Sequence, residues 1–170
     1  ALLISLSLST FGANFKVGAG NVEFTAKGFP TFIKINGTSQ KMTGELVLDQ
    51  EMAKGTFKLP LNTLKTGMDL RDDHMINKYL EAPKFPEATL TLKPFKLEEE
   101  GTAKGILKLH NVEKEIEISY TSNKESDLIT FDTAFDLVLS DFNIDIPSFQ
   151  GITVAKDIKL KVAFKARKGN

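Results

Sequence analysis

Two histidines and a cluster of acids are the residues of this sequence that could carry chemistry. His74 follows Asp69, Arg71, Asp72 and Asp73 at close spacing. An imidazole beside carboxylates is the raw material of a charge relay or a cation site. The same acids have a plainer use, however. The first turn of a helix leaves backbone amides unpaired and carries positive partial charge, which carboxylates offset. A ligand histidine also needs a partner for its other ring nitrogen, and the flanking sequence offers none. The cluster therefore reads as capping and hydrogen bonding beside an opening, with Arg71, Asp72 and His74 as the polar residues there. His110 closes an apolar alternation that ends at Leu109 and reads as a turn residue. There is no cysteine, which excludes a thiolate nucleophile, a thiolate metal site and a disulfide framework. No nucleophile elbow, phosphate loop or pair of catalytic carboxylates is present. The expectation is a binding protein rather than an enzyme, with no catalytic residue and no metal.

The element that positions this cluster lies between Leu59 and Leu92. Phe57, Leu59 and Leu61 share one side of an alternating segment, and Thr66-Gly67 end it. From Asp69 the period changes, with Leu70, Met75, Tyr79 and Leu80 at helical intervals and the acids in the first turn. Pro83 and Pro86 forbid continuation, and the period of two resumes at Ala88-Thr89-Leu90. The spacing predicts one short helix over Asp69 to Tyr79, set between strands and covering the open end of whatever they form.

The rest of the chain alternates apolar and polar residues, from Val22 and Phe24 on the first strand to Leu160 and Val162 on the last. Alternation of this kind marks antiparallel strands with one buried and one wet face. About eight such strands close into a barrel, which removes exposed edges and leaves an interior that side chains fill or that holds one slim ligand. Gly55 and Gly105 fall on the inward face, either leaving room for a ligand or bending the strands sharply. The predicted architecture is all-β: an antiparallel, lipocalin-like barrel of about eight strands with one short helix near its mouth. The run from Asp141 to Pro147 alternates acids with apolar residues and reads as a loop or edge strand that closes on the barrel.

A set of short motifs resembles the YceI-like family. They are Thr66-Gly67, Arg71-Asp72 with His74, the aromatic Tyr79, and Lys84-Phe85-Pro86 at a strand entry. Lys104-Gly105-Ile106-Leu107 and Asn111-Val112-Glu113-Lys114 are similar to the family's glycine-containing hairpin. The resemblance runs from about Asn21 to Ala166. It implies a barrel of the bacterial cell envelope holding a polyisoprenoid or similar long apolar lipid. Such a chain would lie against Phe24, Leu46, Leu48, Phe57, Leu59, Leu90, Gly105, Leu107, Ile118, Phe131, Phe135 and Leu160. Its head group would meet Arg71, Asp72 and His74, and apart from the lipid no cofactor is implied. Two departures bear on the head group. Leu139-Ser140-Asp141-Phe142-Asn143 lacks the arginine and glycine that the family carries there, and Gly18-Ala19-Gly20-Asn21 replaces an early histidine-serine element.

Residues 1–13 form an apolar leader similar to the core of a secretory signal, and 14–170 form the barrel domain. That division implies a periplasmic or secreted protein. The 22 basic and 22 acidic residues balance and are dispersed, so no basic stripe for nucleic acid exists. Thirteen phenylalanines against two tyrosines supply apolar surface with few polar handles. Two functions stay open: a lipid carrier, or a structural subunit of a larger envelope assembly whose barrel has a packed core. Protein partners, and a homodimer among them, stay open too.

Overall fold

In the computed structural model the chain is described over residues 12–30 and 32–169. The apolar run expected as a leader lies outside these residues except for Gly12 and Ala13, and Ala13 already opens the first strand. The barrel strands are β1 (Ala13–Phe29), β2 (Ile33–Asp49), β3 (Met52–Pro60), β4 (Glu87–Lys96), β5 (Glu100–Leu109), β6 (Val112–Glu125) and β7 (Leu128–Val138). Two short strands, β8 (Ser148–Phe149) and β9 (Ile152–Val154), precede the last barrel strand, β10 (Asp157–Lys168). Each barrel strand pairs antiparallel with the next, and β1 pairs with β10. The result is a closed eight-stranded antiparallel barrel with one helix, as the alternation predicts. One long strand, β2, runs from Ile33 through Leu46. The β8–β9 hairpin, which the alternation does not resolve, hangs from the end of β1 through Gly28↔Val154 and Phe29↔Thr153.

Strand parity holds between irregularities and slips by one residue where the register shifts, between Val17 and Gly20 on β1, Ser39 and Met42 on β2, and Leu92 and Phe95 on β4. Glu23, Lys58 and Thr91 face solvent, while Val22, Phe57 and Leu92 beside them are buried. Along the barrel axis, however, the interior changes character. At the end holding the β2–β3 turn it is solid: Phe15, Val17, Leu46, Leu48, Ala53, Phe95 and Ile129 are all buried in one cluster. Above them lies a run of rings. Phe57 meets Phe164 at 4.8 Å between centroids, Phe164 stacks on Phe131 at 5.1 Å, Phe131 stacks on Tyr120 at 4.8 Å, and Tyr120 meets Phe95 edge-on at 5.3 Å. Each such pair adds about 0.5–1.5 kcal/mol beyond its burial. Tyr120 has the polar handle that burial demands satisfied, because its hydroxyl donates to the Lys96 carbonyl at 2.7 Å.

The two inward glycines serve this packing. A Cβ at Gly105 would stand 2.7 Å from the Thr91 carbonyl oxygen and 3.0 Å from Leu92 Cδ2. At Gly55 it would meet the Glu45 carbonyl oxygen at 2.8 Å and the Phe57 ring at 2.9 Å. Both positions are filled by neighbouring backbone and ring, so they hold no room for a ligand. What the two glycines permit is the close approach of neighbouring backbone and side chains.

Candidate functional site

Between the ring floor and the opposite end the barrel is hollow. The chamber measures about 480 Å³ and is lined by Phe24, Phe57, Leu59, Leu90, Leu107, Ile118, Phe131, Phe135 and Leu160, all expected there, with Val22, Val162 and Phe164 beside them. Several of these, Phe24, Leu59, Leu90, Phe135 and Leu160 among them, are only half-buried although they point inward, because empty space rather than protein faces them. Three expected residues are elsewhere. Leu46 and Leu48 share the correct parity but sit in the solid end, and Gly105 is covered by Thr91 and Leu92. Thr133 faces the chamber, and its hydroxyl donates to the Ser119 carbonyl at 2.7 Å. Among the described residues no buried side-chain nitrogen or oxygen lacks a partner. Nothing deep in the chamber therefore calls for a polar ligand, and an apolar one would strand no hydrogen-bonding group.

The mouth is built by the segment that breaks the strand pattern. Pro60 ends β3, a short 3-10 turn follows, and Gly67 takes φ +85°, a left-handed conformation that glycine adopts without strain. The helix α1 (Asp69–Asp73) then continues as a π-helical turn over His74–Tyr79, matching the predicted extent. Asp72, expected to face a head group, is instead buried with its side chain turned back on the preceding loop. Its Oδ1 accepts from the Thr66 amide at 2.8 Å and from the Thr66 hydroxyl at 2.6 Å. Arg71 completes the bracket, with Nε donating to Thr66 Oγ1 and Nη2 to the Thr66 carbonyl, both at 2.8 Å. No side chain caps the helix N-terminus directly. The acid at Asp72 thus fastens the loop rather than the free amides, and the Thr-Gly and Arg-Asp motifs are two halves of one hydrogen-bonded unit.

Arg71 and His74 line the chamber at its mouth, as expected. The His74 ring stands edge-on to Phe149 of the β8–β9 hairpin at 5.4 Å. Tyr79 ties the same hairpin to the helix, since its hydroxyl accepts from the Ser148 amide at 3.1 Å and reaches the Ser148 carbonyl at 3.3 Å. The Asp141–Pro147 run closes on the barrel as its pattern suggested, with Ile144 and Pro147 on the chamber wall. Sequence reasoning missed Ile33, Met68, Leu70, Phe149 and Ile152, which also line the mouth. Their signal was present: large apolar residues at the ends of short elements and beside turns, where polar ones are the norm.

His110 occupies the β5–β6 turn with φ 51°, followed by Asn111 at 59°, the left-handed pair that a two-residue hairpin requires. Its ring also fastens the base of the helix. Nδ1 lies 3.0 Å from the Phe142 carbonyl oxygen and Nε2 lies 2.7 Å from Glu81 Oε2. Lys84 first, and His110 second, hold the Glu81 carboxyl below the usual carboxylate range. A carboxylate held lower in the folded than in the unfolded chain lends stability that is present above the unfolded range and lost as the pH falls through the folded value. Glu81→Gln should therefore melt below the wild type at neutral pH, and the gap should close on acidification. Thermal midpoints across that range check it, and a gap that widened in acid would refute the assignment.

The family model for the YceI-like domain matches residues 14–166. No curated protein matches the chain. Among solved structures, it is similar to a polyisoprenoid binding domain from Saccharophagus degradans at 14% identity and a TM-score of 0.75, covering 93% of this chain and 99% of that one. The BcnA protein of Burkholderia cenocepacia gives 15% identity and 0.74, covering 86% and 95%. A YceI protein of Campylobacter jejuni gives 19% and 0.71, covering 82% and 88%. At these identities the likeness is one of fold.

Proposed function

The chain belongs to the YceI-like family, and from that membership together with its half-hollow barrel we propose that it binds and carries one long-chain isoprenoid or similar lipid within the bacterial cell envelope. The observation that carries this reading is the chamber itself, apolar along its depth, floored by aromatic rings and opening at one end beside Arg71 and His74. Burial of apolar surface drives entry, at roughly 0.8 kcal/mol per CH2 before ordering costs, or roughly 4 kcal/mol for each five-carbon unit. Polyisoprenoid binding by the similar Saccharophagus degradans domain favours a branched unsaturated chain over other lipids. The periplasm or the extracellular space is the compartment assigned with this reading.

The test is native mass spectrometry of the purified protein before and after extraction with organic solvent, alongside the thermal midpoint. Wild type should carry a lipid mass that extraction removes. Val162→Phe adds an apolar ring where Val162 now borders empty space, so it should abolish retention with little loss of stability. A wild type without lipid, and a Val162→Phe variant destabilised by about 1–3 kcal/mol as in an already full core, would favour the structural-subunit reading instead.

A further inference from the structure

We propose that the rim of the chamber mouth is a docking surface for an anionic lipid bilayer, so that a carried chain passes between membrane and barrel without crossing water. This rests on the carrier reading above for its purpose, but not for its evidence. Large apolar side chains stand exposed on three separate segments: Phe29, Phe32 and Ile33 on the β1–β2 hairpin, Met68 and Leu70 before and within the helix, and Phe149 on the β8–β9 hairpin. Four of these, Ile33, Met68, Leu70 and Phe149, also line the chamber, which makes the rim continuous with its wall. At the opposite, solid end Met52 is exposed on its own among the described residues. Phe32 is the extreme case at 92% exposure, with its ring edge-on to Phe29 at 6.5 Å. A soluble surface does not gather such residues around one opening without a partner.

Charge selects the partner. Lys27 and Lys34 are direct cross-strand partners just behind the Phe29–Phe32 tip, both exposed. Like charges placed opposite each other weaken a strand pair. Neither has an ion-pair partner among the described residues, and no acid occurs between Lys27 and Ile35. Lys156 joins them on the adjoining strand connection, where the Ala155 amide donates to the Lys27 carbonyl at 2.7 Å. Aromatic side chains at a tip with lysines one layer behind match the layers of a membrane face, apolar acyl region first and anionic headgroups next. The helix side of the mouth mixes Asp69 and Asp73 with Lys65, Arg71 and Lys78, so the β1–β2 hairpin, whose tip has lysines and no acid, is the edge that leads into the bilayer.

Cosedimentation of the full chain with two kinds of vesicle tests this: phosphatidylcholine alone, and phosphatidylcholine with phosphatidylglycerol in equal amounts. Wild type should bind the anionic vesicles more tightly, and salt should weaken that preference. Phe32→Ser, at a site with almost no folded contacts to lose, should reduce binding by about tenfold or more. Lys27→Gln with Lys34→Gln should reduce binding to anionic vesicles by about fivefold for each lysine and leave phosphatidylcholine binding unchanged. Val162→Phe should bind vesicles like wild type even where its chamber takes no lipid. Vesicle binding by a protein that retains no extractable lipid would end the carrier reading and support the docking surface. Lipid retention in a protein that binds neither vesicle would do the reverse. A Phe32→Ser variant that binds like wild type overturns the proposal. So does a wild-type dimer in sedimentation velocity that Phe32→Ser dissociates without any vesicle binding, because the rim would then join two copies.

Discussion

Phe131→Ala should cost about 3–5 kcal/mol, the largest stability loss of any single truncation in the barrel. The ring is 1% exposed, stacked on Tyr120 and Phe164 and edge-on to Phe95 at 6.4 Å, so its removal breaks the floor at its centre. Nothing on the solid side can move up to fill the gap, because Leu46 and Ile129 are already fully packed. The thermal midpoint should drop by the order of 10 °C. Phe131 also faces the chamber, so the cavity left behind adds to its depth and should admit a longer apolar chain. Denaturant unfolding and the mass of the retained lipid measure the two effects independently. A loss well below this range would mean that the floor is not a fixed partition between packed end and chamber.

Asp72→Ala should produce the second large effect, about 1.5–3 kcal/mol, the usual size for charge-assisted hydrogen bonds left unmade at a buried site. It strands the Thr66 amide and hydroxyl together. Arg71→Ala should cost less, because its guanidinium is half-buried and keeps access to water. Both side chains act on Thr66, so the double variant should lose clearly less than the sum of the singles. Strictly additive losses in a double-mutant cycle would mean that the bracket is not one unit. Since the bracket sets the helix over the mouth, lipid retention should fall in Asp72→Ala even where the chamber wall is untouched.

The comparison of Leu46 with Leu59 separates what local pattern conveys from what it does not. Both lie on the inward face by parity, and both do point inward. One is sealed in solid core and the other borders empty space. Parity is a property of a single strand and repeats every two residues, so it cannot distinguish depth along the barrel axis. Depth acquires meaning where Phe57, Phe131 and Phe164, from three strands far apart in the sequence, meet at one level and divide the interior. Gly105 follows the same logic: its inward position is written locally, while the Thr91 carbonyl that occupies the space belongs to the strand beside it.

The mouth divides in the same way. The change of period at Asp69, the prolines after Tyr79 and the motifs from Thr66 to Pro86 determined that one short helix would stand between strands, and which family the chain resembles. The acids near Asp72 also announced hydrogen bonding there, because carboxylates at the start of a helix need donors. Which donors they found was a matter of the loop's path, and the left-handed turn at Gly67 brought Thr66 rather than the helix amides to Asp72. The apolar residues of the β1–β2 and β8–β9 hairpins were visible in the sequence only as exceptions to polar turns. Closure of β1 onto β10 gathered them around one opening. Alternation and turn chemistry are short-range and survive in the linear sequence, whereas the partition into floor, chamber and rim depends on long-range strand pairing that exists only once the barrel has closed.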